Sequence, residues 1–492
     1  MDARRTNQET TGMAFNFRSF SVQKLASIAP RYLPFADVAS EDVPLARLLR
    51  LSLFQVTVGM ALVLLVGTLN RVMIVELAVP ATLVAGMLAL PLVFAPFRTF
   101  IGYKSDTHVS ALGWKRVPFI WKGTLYQFGG FAIMPFALLV LSGYGEAVDA
   151  PRWIGLSSAA LAFLLVGAGA HIVQTTGLAL ATDLVDEEDH PKVVGLMYVM
   201  LLLGMVVAAL IYGALLENYT PGRLIQVIQG TAVVTVGLNL FAIWKQESRN
   251  RARAAEMENV IQPTFRQAWT SLVARPGMMR ILVIIALGTF GFGMADVLLE
   301  PYGAQALGLS VAETTRLTAL LAAGTLVGFG VASHLLGAGG SPMRLGRVGA
   351  LIGIPGFVAI VLSPGLVGTP LFLLGIFATG IGAGLFGHAT LTATIRAAPS
   401  NQTGLSLGAW GAVQASCAGV GVALAGLVRD ILVGIEALNG IQAHTPYNIV
   451  FMIEIGFLVL VVLVATPVAV AVSKRRAASN LTDTRPNPLE VS

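Results

Sequence analysis

The chain has 492 residues, 55% of them hydrophobic and 12% charged. A soluble globular protein carries about 25% charged residues, so most of this chain does not face water. A single cysteine, Cys417, excludes an internal disulfide framework and paired-cysteine zinc or redox sites. The net charge of +6 sits beside apolar stretches, where it reads as a topology signal rather than a nucleic-acid footprint.

The N-terminal arm, 1–45, has no apolar run followed by a small-residue cleavage site, so insertion is expected through the first span. It mixes Phe17, Arg18, Phe20, Lys24, Arg31, Tyr32 and Phe35. That pattern suits an interfacial helix over 19–29 or a tail ended by Pro30 and Pro34. A hydrocarbon core of about 30 Å needs roughly 20 apolar residues in helix. Twelve stretches qualify: 47–69, 80–101, 118–142, 153–178, 193–216 and 223–244, then 279–300, 314–337, 346–363, 369–390, 405–432 and 447–472. A polar linker, 245–278, divides them six and six, and a polar tail, 473–492, follows. The predicted fold is an all-α integral membrane protein of two pseudo-symmetric six-helix bundles, 46–244 and 279–472.

The loops test these spans. With the N-terminus inside, the outer side holds Arg71, Arg152, Arg223, Arg316 and Arg429, which leaves 27 of the 32 Lys and Arg inside. Both termini are therefore expected in the cytoplasm, and an odd number of spans would place Lys474, Arg475 and Arg476 on the wrong side. The loop after the second span and the loop after the eighth also correspond. The first reads Gly102, Asp106, Gly113, Lys115 and Arg116; the second has Gly337, Arg344 and Arg347 but no aspartate.

The Gly102, Asp106, Gly113, Lys115, Arg116 pattern resembles the cytoplasmic signature of the major facilitator superfamily. In that family the aspartate and basic pair form a latch between the two halves. Here six residues, Thr107 to Leu112, separate the aspartate from the second glycine, where the family has two. Longer runs carry a second resemblance: Arg31 to Asp37, Leu45 to Gln55, Gly67 to Leu77, Ala89 to Arg98 and Ser105 to Lys122. Together they resemble the PucC/LhaA, or bacteriochlorophyll delivery, family of phototrophic bacteria, a divergent major facilitator branch. The resemblance implies an assembly factor for light-harvesting complexes 1 or 2 in the inner membrane. It also implies antenna apoproteins, bacteriochlorophyll synthase and the insertion machinery as partners.

Bacteriochlorophyll as cargo needs an apolar slot and a neutral donor for magnesium, and imidazole is a common axial ligand. His171, His334 and His388 fall in or at spans among small residues, which leave room for a planar ring. His171, well inside its span, is the leading candidate of the three. A histidine bonded to a neighbouring helix is the plainer alternative for each. Intramembrane polar groups come next. Asn70, Arg71 and Glu76 end the first span, Asp296 and Glu300 end the seventh, and Glu454 lies in the twelfth. Buried charges in lipid are usually paired or functional, so Arg71 with Asp296 or Glu300 is a candidate gate between halves; interfacial snorkelling is the alternative for Arg71 and Glu76.

The acidic run Asp183, Asp186, Glu187, Glu188 and Asp189 can pair with Lys115 and Arg116, receive a basic partner, or stay solvated. The spacings Gly380/Gly384 and Gly404/Gly408 signal close helix packing, within the chain or in a homo-oligomer. No nucleotide-binding, HExxH or GxSxG motif occurs, and no tightly bound metal or nucleotide and no enzymatic activity is expected. Two other readings remain: a proton-coupled secondary transporter working through Asp296, Glu300 and Arg71, and a ligand-free scaffold.

Overall fold

The computed structural model describes residues 43–93, 101, 105, 114–143, 147, 149–186, 189–247, 270, 273–397, 403–439 and 444–483. The arm helix expected over 19–29 and the signature residues Gly102, Asp106 and Gly113 lie outside them. The first half comprises α1 (Leu45–Glu76), α2 (Ala81–Val93), α3 (Val117–Ser142), α4 (Arg152–Thr182), α5 (His190–Leu215) and α6 (Pro221–Ile243). The second comprises α7 (Met278–Val297), the short α8 (Leu299–Leu307), α9 (Val311–Gly337), α10 (Pro342–Leu362), α11 (Thr369–Ala397), α12 (Thr403–Asn439) and α13 (Thr445–Asp483). Among the described residues, 11 helices are long and apolar enough to cross a membrane. The described part of α2 is a shorter apolar helix, and it supplies the twelfth position of the bundle.

The packing repeats between halves. In the first, α3 packs on α4 and α6; in the second, α10 packs on α11 and α13. Across the seam α2 meets α12, and α5 meets α9. An internal twofold that carries α2 onto α9 and α12 onto α5 exchanges these two contacts, as expected of a duplicated bundle.

Glycine sets the closest approaches. A Cβ on Gly349 of α10 would lie 2.6 Å from the Gly382 carbonyl oxygen of α11, and one on Gly382 equally close to that of Gly349. The matching pair in the first half is Gly123 of α3 and Gly169 of α4. Gly380 and Gly384 pack on the α9 backbone at Leu321 and Thr325, so this spacing joins helices within the chain. With little hydrophobic drive between helices in lipid, such backbone contact supplies the attraction. The outward faces stay apolar, as at Val233, Phe241, Leu374 and Leu463, and meet lipid.

Three elements depart from the expected spans. The first span runs on past 69 to Glu76 through π-helical turns at Val63–Leu69 and Val72–Glu76. The seventh is not continuous over 279–300: its α-helix ends at Gly293, and a 3-10 turn, Ala295–Val297, precedes α8. The last helix continues through the basic tail to Asp483, because 473–483 contains alanines and no proline.

Candidate functional site

The two irregular helices meet. In α1 each π turn accommodates an extra residue and re-aims the side chains that follow, a distortion frequent at functional sites. Gly67 faces Thr318 of α9 so closely that a Cβ would collide with its hydroxyl. One residue on, the Thr68 and Thr315 hydroxyls are 3.2 Å apart. Asn70 Nδ2 donates to the Val297 carbonyl at 2.9 Å, and Arg71 Nη2 reaches the Leu309 carbonyl at 3.4 Å. All four contacts cross between the halves.

The break in α7 frees backbone groups that lipid cannot solvate. Glu454 of α13, fully buried, accepts the Ala295 N–H at 2.7 Å. Glu300, in the first turn of α8, accepts from the Thr318 hydroxyl at 2.9 Å. Tyr302 then anchors α8: its hydroxyl donates to the Ile360 carbonyl at 3.0 Å, and its ring packs edge-on against Tyr447 and Phe451.

The structure revises the proposed ion pair across the seam. Arg71 pairs with Glu76 of its own helix, and among the described residues it forms no ion pair with Asp296 or Glu300. Nor does Arg71 snorkel outward, since it is only 5% exposed; Glu76 is the exposed member. Arg71 lies between the two π turns, at Val63–Leu69 and Val72–Glu76.

A further joint carried no sequence signal. Asp430 of α12 accepts from the Thr82 N–H and hydroxyl, both at 2.7 Å, and from the Ala81 N–H at 3.3 Å. It thus caps α2 of the other half. Arg429 beside it bonds Asp430 at 2.9 Å and Tyr447 at 3.1 Å. Gly426 packs on Ala81 and Ala85. These residues are far apart in the chain, and no local motif marks them. Among the described residues, the hydrogen bonds and ion pairs that join the halves all lie at this end of the bundle, the Glu76 end.

At the opposite end, each hydrogen bond between described residues stays within one half. Arg116 Nε bonds Asp183 at 3.1 Å and its Nη1 bonds Ser105 at 2.6 Å. Asp183 is therefore paired rather than simply solvated. Glu247, just after α6, accepts the Arg116 and Val117 N–H groups at 3.1 Å each and also binds that of Lys115, so it caps α3. Arg47 is clasped by Gln246, its Nη2 donating to the carbonyl at 2.8 Å. The described bonds of Lys115 and Arg116 thus fasten α3, α4 and the end of α6, not one half to the other.

The histidines separate. His334 is exposed near the end of α9, His171 is half-buried in α4, and His388 is 9% exposed in α11. The His388 ring sits 4.3 Å, centroid to centroid, from that of Phe329. The glycines beside His171 leave no slot: Gly167 is filled by Pro91, and Gly169 by Gln127 and Gly123. Beside His388, Gly384 is filled by Thr325 and Phe329, whereas Gly387 faces open space.

Two six-helix halves that meet along one seam define a helical membrane bundle of the major-facilitator-like fold. A solved structure of a bacterial homologue of the human lysosomal transporter Spinster, inward-facing and unoccupied, superposes with a TM-score of 0.62 at 18% identity, covering 85% of this chain and 95% of that one. The family described as PUCC protein matches residues 68–473, and the chain belongs to it. Protein PucC of Rhodobacter capsulatus is 68% identical over 453 residues, covering 92% of this chain and 98% of its own. Protein PucC of Rhodovulum sulfidophilum is 59% identical over 431 residues, covering 87% and 94%.

Proposed function

We propose that this protein is a non-enzymatic assembly factor of the light-harvesting apparatus that holds bacteriochlorophyll and hands it to LH1 or LH2 antenna polypeptides. The observation that carries this reading is the unbroken likeness to PucC proteins across 68–473, which spans both halves. Antenna apoproteins, bacteriochlorophyll synthase and the insertion machinery are its proposed neighbours. The basic-residue asymmetry supports an inner-membrane location with both termini in the cytoplasm.

The residues fit the pigment best at His388. Its imidazole is the candidate magnesium ligand, Phe329 offers an aromatic face, and Gly387 leaves room at the helix surface. Packed glycines make His171 the weaker candidate, and exposure at a helix end does the same for His334. When bound, the pigment brings a magnesium macrocycle with an open axial position. The protein's part is to ligate it, shield its apolar faces and release it.

The test is the absorbance spectrum of protein purified from pigment-producing cells. Bacteriochlorophyll is expected in a fixed ratio to protein and is lost in His388→Ala. A deletion strain that assembles every antenna complex at wild-type levels would refute the role. A second reading, transport of a small solute, is favoured by the broken α7 alone, since discontinuous helices line transporter sites. Uptake of a solute by pigment-free proteoliposomes would select it.

A further inference from the structure

The second half carries unmatched arginines at the end of the bundle opposite Glu76. Arg275 precedes α7 and Arg280 lies in its first turn, Arg344 and Arg347 lie in the first two turns of α10, and Arg396 sits in the last turn of α11. Among the described residues none of them forms an ion pair. The second-half acids with described side chains lie elsewhere: Asp296, Glu300, Glu313 and Asp430 at the Glu76 end, and Glu454 against Ala295. The first half differs at this same end. There Arg116 pairs with Asp183, Lys192 pairs with Asp189, and Glu247 caps α3.

Two of these arginines converge. The α13 helix packs on both α7 and α10, and its apolar span, Thr445–Thr466, ends where they meet it. From α7, Arg280 Nη2 donates to the Val464 carbonyl at 3.1 Å; from α10, Arg347 Nη1 reaches the Thr466 hydroxyl at 3.4 Å. A guanidinium carries several N–H donors, and the described bonds use one on each. The Nε of Arg347 is buried without a partner among the described residues. The exposed surface beside them is apolar: Met279 and Val283 on α7, Val348 and Leu351 on α10, and Leu460 and Leu463 on α13. The site therefore offers open donors and positive charge at the edge of a lipid-facing apolar strip. Its complement carries a negative charge and accepting oxygens at one end and hydrocarbon at the other, which is an anionic phospholipid. Inorganic phosphate matches the donors but not the strip.

We infer that Arg280 and Arg347, approaching α13 from two neighbouring helices, hold the phosphate of an anionic phospholipid whose acyl chains lie along the exposed face of α13. Arginine suits this task because its planar fork meets two phosphate oxygens at once. The headgroup supplies acceptors shared by α7 and α10 at the end of α13, so the lipid fastens three helices and makes the protein more stable in an anionic membrane. The inference holds for either reading of the cargo.

The test uses full-length protein in detergent, given one additive at a time: dioleoylphosphatidylglycerol, dioleoylphosphatidylcholine or inorganic phosphate. The anionic lipid is expected to raise the unfolding midpoint by several degrees, and the other two to leave it unchanged. Native mass spectrometry of protein given both lipids in equal amounts is expected to show the anionic one retained. Arg347→Gln is expected to lose most of the rise, and Arg347→Lys, which keeps the charge but not the planar fork, to lose part of it. If Arg347→Gln is not recovered as folded protein, Arg347→Lys decides in its place. Lys122→Gln, at the same end of the first half, is expected to respond as the wild type does. Equal response to the two lipids, or a rise with inorganic phosphate alone, would overturn the lipid as ligand. An undiminished rise in both Arg347 variants, or an equal loss in Lys122→Gln, would overturn the site.

Discussion

Asn70 and Val297 stand 227 positions apart in sequence and share a hydrogen bond of 2.9 Å. One sits between the two π turns of α1, the other at the end of the 3-10 turn that breaks α7. The pseudo-symmetric first helices of the two halves are therefore both distorted where they touch. A side-chain amide bonding a backbone carbonyl is possible there because the break has released that carbonyl from a helical ladder.

The tightest approach on the seam predicts a steric outcome. Gly67→Val places its Cβ against the Thr318 hydroxyl, and overpacking of this kind costs about 1–3 kcal/mol. The expected result is a lower unfolding midpoint, measured by tryptophan fluorescence in detergent. Thr318→Ala in the same chain should recover part of the loss, since it removes the atoms that collide.

The α2 cap predicts an energetic coupling between halves. Asp430→Ala and Thr82→Val should each destabilise the protein by about 0.5–2 kcal/mol, as loss of a helix cap does. Their double variant should fall short of the sum by at least about 0.5 kcal/mol, because both changes remove the same hydroxyl–carboxylate bond. Chemical denaturation of the four proteins checks this, and strict additivity would contradict the contact.

The cap at the other end predicts a local effect. Glu247→Ala removes the acceptor of the first N–H groups of α3 and should cost about 1–2 kcal/mol. Hydrogen exchange should rise at 115–119 and stay unchanged around Asn70, because Glu247 bonds only the first half among the described residues.

One position predicts a gain. Ala78 holds a φ of 48°, in the left-handed region that favours glycine, and Arg152 clamps its carbonyl and that of Leu77 at 3.2 and 2.7 Å. Ala78→Gly relieves the Cβ clash and should raise stability by up to about 1 kcal/mol. A lowered unfolding midpoint would show that the turn is not strained.

The buried polar chain inside the first half predicts a measurable loss. Asn239 accepts from Thr57 and donates to Thr124, at 2.8 and 2.9 Å, so it joins α1, α6 and α3. Asn239→Leu removes both bonds while each hydroxyl keeps a backbone carbonyl of its own helix, so it should cost about 0.5–1.5 kcal/mol per bond lost, read as a lower midpoint in a thermal scan.

What the sequence by itself determined was the membrane, the number of spans and the duplication. Each follows from composition, apolar run length and glycine spacing, which are local properties of the chain. The spacing of Gly380 and Gly384 announced close packing before any partner helix was known, and α9 is where that packing occurs. The family resemblance was legible for the same reason, in unbroken runs such as Ser105 to Lys122. Only the tertiary structure decided which polar groups meet. Arg71 finds Glu76, five residues on across a π turn, rather than Asp296, and hydropathy does not register which partner a buried cation meets. The break in α7 was hidden because Asp296 and Glu300 read equally well as the polar end of a continuous span. The partnership of Asp430 with Thr82 was hidden because they stand 348 positions apart, and only the folded seam brings the carboxylate to the end of α2. Hydrophobicity is additive along a chain and can be read from it, whereas hydrogen bonding depends on direction and needs the folded backbone.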